Sequence, residues 1–397
     1  MWKKSNSLII RLAQSSNMEF KVPLFRRFTQ IYLPSSVALR FMNLLNPRNV
    51  ILYEILKRGK IMKIDFHFYT IYTLCKHAGI KEEISKKIAY SSQHVDDAKY
   101  DHELFFENGG RFKQQMSAHK FLDLDVFKKE VGYDIFLPFH FLPGGRGEEF
   151  YDKIICRENS EIAKQMLEDT ILTINKPYGI HRLGITFHVY ADTWSHQDFH
   201  GLQKEHNNIN DLNRINDNYN ILKDIQSNIF PPIGHAKALS CPDTPFLKWS
   251  YIRNSDDNEI IAKNLNRCIE ASKNIYEFLI NEIYENRNDI FDSEPKDWTS
   301  IKNKLREVFN KKYSIDERIE LWERKLKNGF FGFDSDVSYD DREWFKEAVE
   351  VIENNGEENY YKKPNFNESN WKYFHDAVTY HSFFIKNELL PQYGIIT

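Results

Sequence analysis

Four residues in one stretch of the chain have the types and spacing of a metal site. The run Leu183-Gly184-Ile185-Thr186-Phe187-His188-Val189-Tyr190-Ala191-Asp192-Thr193-Trp194-Ser195-His196-Gln197-Asp198-Phe199-His200 sets His188, Asp192, His196 and His200 four residues apart. In an α-helix a step of four advances only ~40° around the axis, so these side chains form one row. Imidazole and carboxylate are ligands for zinc and similar ions, and a carboxylate between two histidines can bridge neighbouring ions or orient a ligand from behind. The plain alternative is a polar stripe facing water. Phe187, Val189, Tyr190 and Trp194 surround the row, however, and imply a helix buried on most sides, where unpaired His and Asp are costly. Metal ligation is the reading that satisfies them.

Other candidates are weaker on spacing alone. Asp65 and His67 form a D-x-H pair within Ile64-Asp65-Phe66-His67-Phe68, and in an extended segment both would face the same way. Asp96 and Asp97 follow a helical stretch, and either could be the carboxylate shared between ions in a multinuclear hydrolytic site. His119, His140 and His235 are single histidines near loops, which are more often structural than ligating. Asp243 lies in the turn Cys241-Pro242-Asp243-Thr244-Pro245. Asp65 or Asp198 could serve as a general base, a role that sequence does not separate from ligation.

The elements that must position these residues read as helices. Residues 69–94 carry apolar positions at helical spacing, with Gly79 as a break between two helices. Tyr133 to Gly145 holds two prolines and a glycine pair and reads as an extended segment or loop around His140. Helices are expected over 160–172, 180–200 with Gly201 as the stop, 257–286, 298–309, 315–326 and 371–389, with a polar linker near 207–220 and a polar stretch at 352–368. The expected class is all-α, with loop insertions and no internal repeat. It comprises one helical metal-binding domain over 62–397, of which 251–397 is the C-terminal helical part.

The segment L-G-x-x-x-H-x-x-x-D-x-x-x-H from Leu183 to His196 resembles the metal-binding helix of the zinc-dependent phospholipase C and single-strand nuclease superfamily, particularly its variant in fungal heterokaryon-incompatibility proteins. Those are mainly helical hydrolases with a cluster of up to three zinc ions. The resemblance implies that His188 and Asp192 bind one ion, that Asp192 reaches a second, and that His196 binds a neighbour. It also implies a bridging role for Asp96 or Asp97 and an N-terminal ligand role for His67. The stretch from Met62 to Trp249 looks, in addition, like an uncharacterised bacterial family with the same IDFH opening, PFHFLPG loop and central helix. Two features depart from the superfamily pattern. Asp65 is preceded by Met62 or an extension rather than a processed N-terminal tryptophan, and His235 has Leu239 where a carboxylate is common, leaving His200 or Asp243 as substitutes.

Composition bounds the remaining possibilities. With 41% hydrophobic and 28% charged residues the chain has the make-up of a globular protein, and no apolar run approaches the ~18 residues of a membrane-spanning helix. The 15% aromatic content, 30 Phe and 21 Tyr, is suited to filling space between helices. A net charge of −3 gives no general attraction to nucleic acid. Cys75, Cys156, Cys241 and Cys268 are far apart and form no CxxC pair, which fits a reducing, cytoplasmic compartment.

Residues 1–61 form a distinct basic extension. Eleven Lys or Arg against two acids up to Met62 give that stretch +9 and leave −12 for the rest. It reads either as a targeting segment or as sequence upstream of a true start at Met62, the reading favoured here. N-terminal sequencing of the native protein decides between them.

The function expected from these features is hydrolysis of a phosphoester by two or three Zn2+ ions, with a small-molecule or lipid substrate and no specific nucleic-acid signal. The non-catalytic alternative is a structural metal or binding protein whose site is closed by protein ligands. Phe374-His375-Asp376-Ala377 also resembles the H-D doublet of helical metal phosphohydrolases, but no Asp follows Asp376 to complete that set.

Overall fold

A π-helical turn, Asp65–Thr70, runs straight into α1, Ile71–His77, and apart from Lys76 every residue of the two is buried. The computed structural model describes residues 64–119, 129–217, 232–354 and 356–397. The chain divides between Lys60 and Ile61, and all described residues belong to the second part. The basic extension expected over 1–61 lies outside the described residues. Gly79 takes a φ of +90°, which a side chain rarely tolerates, and turns the chain into α2, Glu82–Asp97. Glu82 and Glu83 occupy the first turn of α2, where carboxylates favour the positive end of the helix dipole.

After α2 a short hairpin, β1 (Glu103–Phe105) with β2 (Arg111–Lys113), sets Leu104 opposite Phe112. Residues 129–139 form consecutive helical turns ending in Leu137–Phe139, and His140 leaves them with φ −131°. Ser160 caps α3, Glu161–Thr173, by accepting from the Ala163 N–H. The central helix α4, Gly179–Ser195, is buried almost throughout, as its all-round apolar surface requires. A three-stranded antiparallel sheet follows, β3 (Ile209–Arg214), β4 (Lys248–Arg253) and β5 (Glu259–Lys263), with β4 in the middle. Then come α5 (Asn264–Phe278), α6 (Thr299–Phe309) and α7 (Ile315–Lys327), the last opened by a capping box between Ser314 and Glu317. The chain closes with α8 (Glu343–Ala348), the hairpin β6 (Val349–Asn354) with β7 (Glu357–Lys362), and α9 (Asn370–Phe383).

Most buried apolar side chains form one cluster around α4, and a smaller one, with Phe141, Phe199, Cys241, Trp249 and Tyr251, underlies the three-stranded sheet. Among the described residues no helix is long and apolar enough to cross a membrane.

Several expectations are corrected here. The class is mixed α/β rather than all-α: among the described residues about 53% helix is joined by 14% strand in three small antiparallel sheets. Residues 259–263, expected to open a helix, pair as β5, and 349–362 form a hairpin. The segment around Asp65 and His67 is helical rather than extended, so a two-residue step turns the side chains about half a circle apart instead of setting them side by side. Finally, α4 stops at Ser195; His196 caps it, and the left-handed Asp198 (φ +74°) carries the chain away before residue 200.

Candidate metal centre

The site begins with the close approach of α2 and α4. A Cβ placed on Gly184 would lie 2.3 Å from the Ile88 carbonyl oxygen and 2.5 Å from Ser91 Cβ, so only glycine lets the two backbones close to this distance. One turn further along α4, His188 Nδ1 then meets the Ser92 carbonyl at 2.8 Å. A carbonyl only accepts, so Nδ1 carries the proton and Nε2 presents a lone pair. His140 is fixed in the mirror-image manner. Its Nε2 faces the Ser117 carbonyl at 2.8 Å, which places a proton there and turns Nδ1 toward His188.

His188 Nε2 and His140 Nδ1 face each other at 3.2 Å. The carboxylate of Asp192 approaches both, with Oδ2 3.4 Å from each, and Asp96 Oδ1 lies 3.8 Å from each. His67 completes the arrangement: its Nε2 is 3.2 Å from Asp192 Oδ1, and its ring stacks on His188 with centroids 3.8 Å apart. Lone pairs and negative charge thus converge from the first helical turn, α2, the turn after Phe139, and α4. His188, Asp192, His67 and His140 are buried, whereas the Asp96 side chain keeps a quarter of its surface exposed. Burial, with the neighbouring His67 second, holds the pKa of His188 down at about 4, so its imidazole is neutral at physiological pH, the form that ligates. Convergent acceptors of this kind call for a cation, and a ring nitrogen anchored to a carbonyl behind a free lone pair is the usual support of a metal-bound histidine.

A second group lies at the end of α4. His196 points Nδ1 at the His140 carbonyl, 2.6 Å away, and turns Nε2 to within 3.6 Å of Asp243 Oδ1. His235 points Nδ1 at the Leu239 carbonyl at 3.0 Å and brings Nε2 to 3.5 Å from Asp243 Oδ2. The carbonyl contacts place a proton on Nδ1 of each ring and turn both Nε2 atoms toward one carboxylate. Asp243 owes its place to Asn264, the first residue of α5. The Asn264 amide donates to the carbonyls of Cys241, Pro242 and Thr244, at 2.6, 3.2 and 2.8 Å, and its oxygen accepts from Trp249 Nε1 at 3.0 Å. The two groups adjoin, because His196 Nδ1 is 3.6 Å from Asp192 Oδ2 and His140 serves one with its ring and the other with its carbonyl. Among the described residues three sets of side chains are therefore close enough to hold an ion: His67, Asp96 and His188; His140, His188 and Asp192; and His196, His235 and Asp243.

Several residues expected at the site lie elsewhere. Asp97 is held by Tyr339 and Lys99, each at 3.0 Å, and by Gln93 at 3.3 Å. His200 falls beyond the end of α4, where its Nδ1 accepts from the Leu202 N–H and its ring stacks on His206. Asp65 is tied by Arg318 Nε at 2.9 Å and Trp322 Nε1 at 3.2 Å, a buried ion pair that occupies both oxygens and leaves no free base. Asp198 sits 3.5 Å from Arg253. His119 is half-buried and joins none of the three sets. His375 and His381 serve the fold: His375 Nδ1 accepts from the Gln115 N–H, and His381 braces the turn before His140 by bonding the Pro138 carbonyl and stacking on Phe139. His140 and Asp243, lesser candidates in the sequence, prove central to the geometry, and nothing in their local spacing marks them.

A pocket of about 30 Å³ opens between the groups. It is lined by His67 from the first and Asp243 from the second, with Trp194, Arg267 and Cys268 on its walls. No curated protein and no solved structure matches the chain. A family profile matches residues 62–389, which include every residue of both groups, and on that match the chain belongs to DUF6765, a family of unknown function.

Proposed function

We propose that the protein is a metal-dependent hydrolase of phosphoesters that holds two or three zinc-type ions on the two adjoining groups. The observation that carries this reading is the convergence of His140 Nδ1 and His188 Nε2, 3.2 Å apart, on the carboxylate of Asp192, 3.4 Å from each. Mixed imidazole and carboxylate donors suit zinc. Ions bound there would make a water nucleophilic at neutral pH and neutralise charge on the attacking and leaving oxygens. Asp192 reaches donors of both groups, and the partly exposed Asp96 leaves the first group an open side. The pocket between His67 and Asp243 supplies the access that a substrate needs.

A closed, purely structural metal site is the second reading, and the complete burial of His188 and Asp192 favours it. Elemental analysis of chelator-free protein beside His188→Ala and Asp192→Ala, with hydrolysis of bis(p-nitrophenyl) phosphate measured on the same samples, separates the two. The hydrolase reading expects two or three ions per chain, lost in both variants together with activity. One retained ion without hydrolysis would establish the structural role instead, and absence of metal from the wild-type protein would remove both.

A further inference from the structure

Asn264, Arg267, Cys268 and Ala271 recur at intervals of three and four along α5 and form the wall of the pocket between the two groups. Asn264 is fully engaged in holding the Asp243 turn. Arg267 is not so engaged. It makes one long hydrogen bond, from Nη1 to the Ser195 carbonyl at 3.3 Å, which leaves most of its five donors available. Among the described residues it forms no ion pair. The carboxylates that act on it from a distance are Asp198, itself 3.5 Å from Arg253, and Glu158. It is the one Lys or Arg in the pocket lining, beside His67 of the first group and Asp243 of the second. Arg267 is half-buried, so the donors it does not use lie where an anion entering the pocket can meet them.

We propose that Arg267 is the anion-recognition residue of this pocket, its guanidinium gripping two non-bridging oxygens of a phosphoryl group held between the two metal groups. The inference rests on the reading of the site as a metal-dependent phosphoester hydrolase. The planar fork of arginine matches two oxygens of one phosphorus, which a lysine ammonium does not. A pocket of about 30 Å³ has room for a few heavy atoms, so the phosphoryl group enters while the esterified alcohol stays outside. Recognition is then directed at the phosphoryl oxygens, which are common to a terminal phosphate and to a diester.

The test is calorimetric titration of the full, zinc-loaded chain with inorganic phosphate, methyl phosphate and dimethyl phosphate, comparing the wild type with Arg267→Met and Arg267→Lys. Metal content and melting temperature are recorded for each protein. Arg267→Met is expected to keep its metal and bind phosphate about 10- to 100-fold more weakly, the loss typical of a charge-assisted hydrogen bond. Arg267→Lys should fall between. A terminal phosphate as ligand gives tighter binding of methyl phosphate than dimethyl phosphate, and a diester gives the reverse; in Arg267→Met both must weaken, because the oxygens gripped are common to the two. Unchanged phosphate affinity in Arg267→Met overturns the proposal. If that variant loses metal or fails to fold, Arg267→Lys decides: wild-type affinity in a metal-replete Lys variant overturns it, and several-fold weakening supports it. Wild-type protein that takes up zinc but no phosphate sinks this inference alone, whereas protein that takes up no zinc sinks the hydrolase reading beneath it.

Discussion

Asp96 and Asp97 are neighbours in sequence and opposites in placement. Successive residues of a helix point ~100° apart, so only one of the pair can face α4, and it is Asp96 that lies 3.8 Å from His140 and His188 while Asp97 is engaged by Tyr339 and Lys99. Asp96→Asn is therefore expected to lower the metal bound after dialysis, measured by elemental analysis. Asp97→Asn should leave metal content unchanged and cost about 1 kcal/mol of stability through its weakened bonds. Equal loss of metal from both would show that the carboxylates act together and undo the assignment. Spacing could not have made this choice, since it says that two acids are adjacent and not which one the helix turns inward. The row His188, Asp192 and His196 was legible for the opposite reason: the three side chains are referred to one helix axis, and their relation survives whatever packs around them. His140 and Asp243 reach the site from turns, where sequence distance says little about position in space. His200 belonged to the row only if α4 continued to residue 200, and the chain leaves the helix axis at His196.

At the scale of elements, the site depends on how near α2 comes to α4. The His188 anchor is a backbone carbonyl, Ser92 O, so no side chain can adjust to compensate if the helices separate. Gly184→Ala puts a methyl group 2.3 Å from the Ile88 carbonyl oxygen, an overlap that forces the backbones apart. Overpacking of this kind costs about 1–3 kcal/mol, and the displacement should also weaken metal binding, because Asp96 moves with α2. Thermal melts with and without chelator should show a lower melting temperature and a smaller metal-dependent increment than the wild type. A variant that melts lower yet keeps the full increment would mean that the site tolerates the separation. The helices themselves could be read from apolar periodicity and capping: Ser160 and Ser314 start α3 and α7 where their sequences suggest. The strands were harder to see. They are three to six residues long and lie in two- and three-stranded sheets, too short for alternation to stand out. The hairpin of β6 and β7 carries a signal, because Val349-Glu350-Val351 alternates and Asn355-Gly356 is a strong two-residue turn sequence, but the polar composition of 352–368 hides it.

For the molecule as a whole, buried neutral histidines set how stability responds to acid. His181 on α4 and His375 and His381 on α9 are buried, which holds their pKa values at about 4, 3 and 3, well below the ordinary 6.5. The unfolded chain takes up protons at these positions near pH 6.5, while the folded chain resists until about pH 3 to 4. Their contribution is therefore complete above pH 6.5 and is lost progressively as the pH falls through that window. Each such histidine contributes a slope of about 1.4 kcal/mol per pH unit, so three give about 4 kcal/mol per unit against a total stability of about 5–15 kcal/mol typical of a folded domain. The metal-free protein should accordingly unfold on mild acidification, well before its carboxylates titrate. Urea unfolding at pH 7, 6 and 5 in the presence of chelator, which removes any linkage through bound metal, measures the slope directly. His375→Gln is the informative variant, since its amide oxygen can still accept from the Gln115 N–H but takes up no proton. It should reduce the pH dependence by about 1.4 kcal/mol per unit while changing stability at pH 7 much less. A slope identical to that of the wild type would mean that His375 is not held neutral by burial, and that acid acts on the fold through other groups.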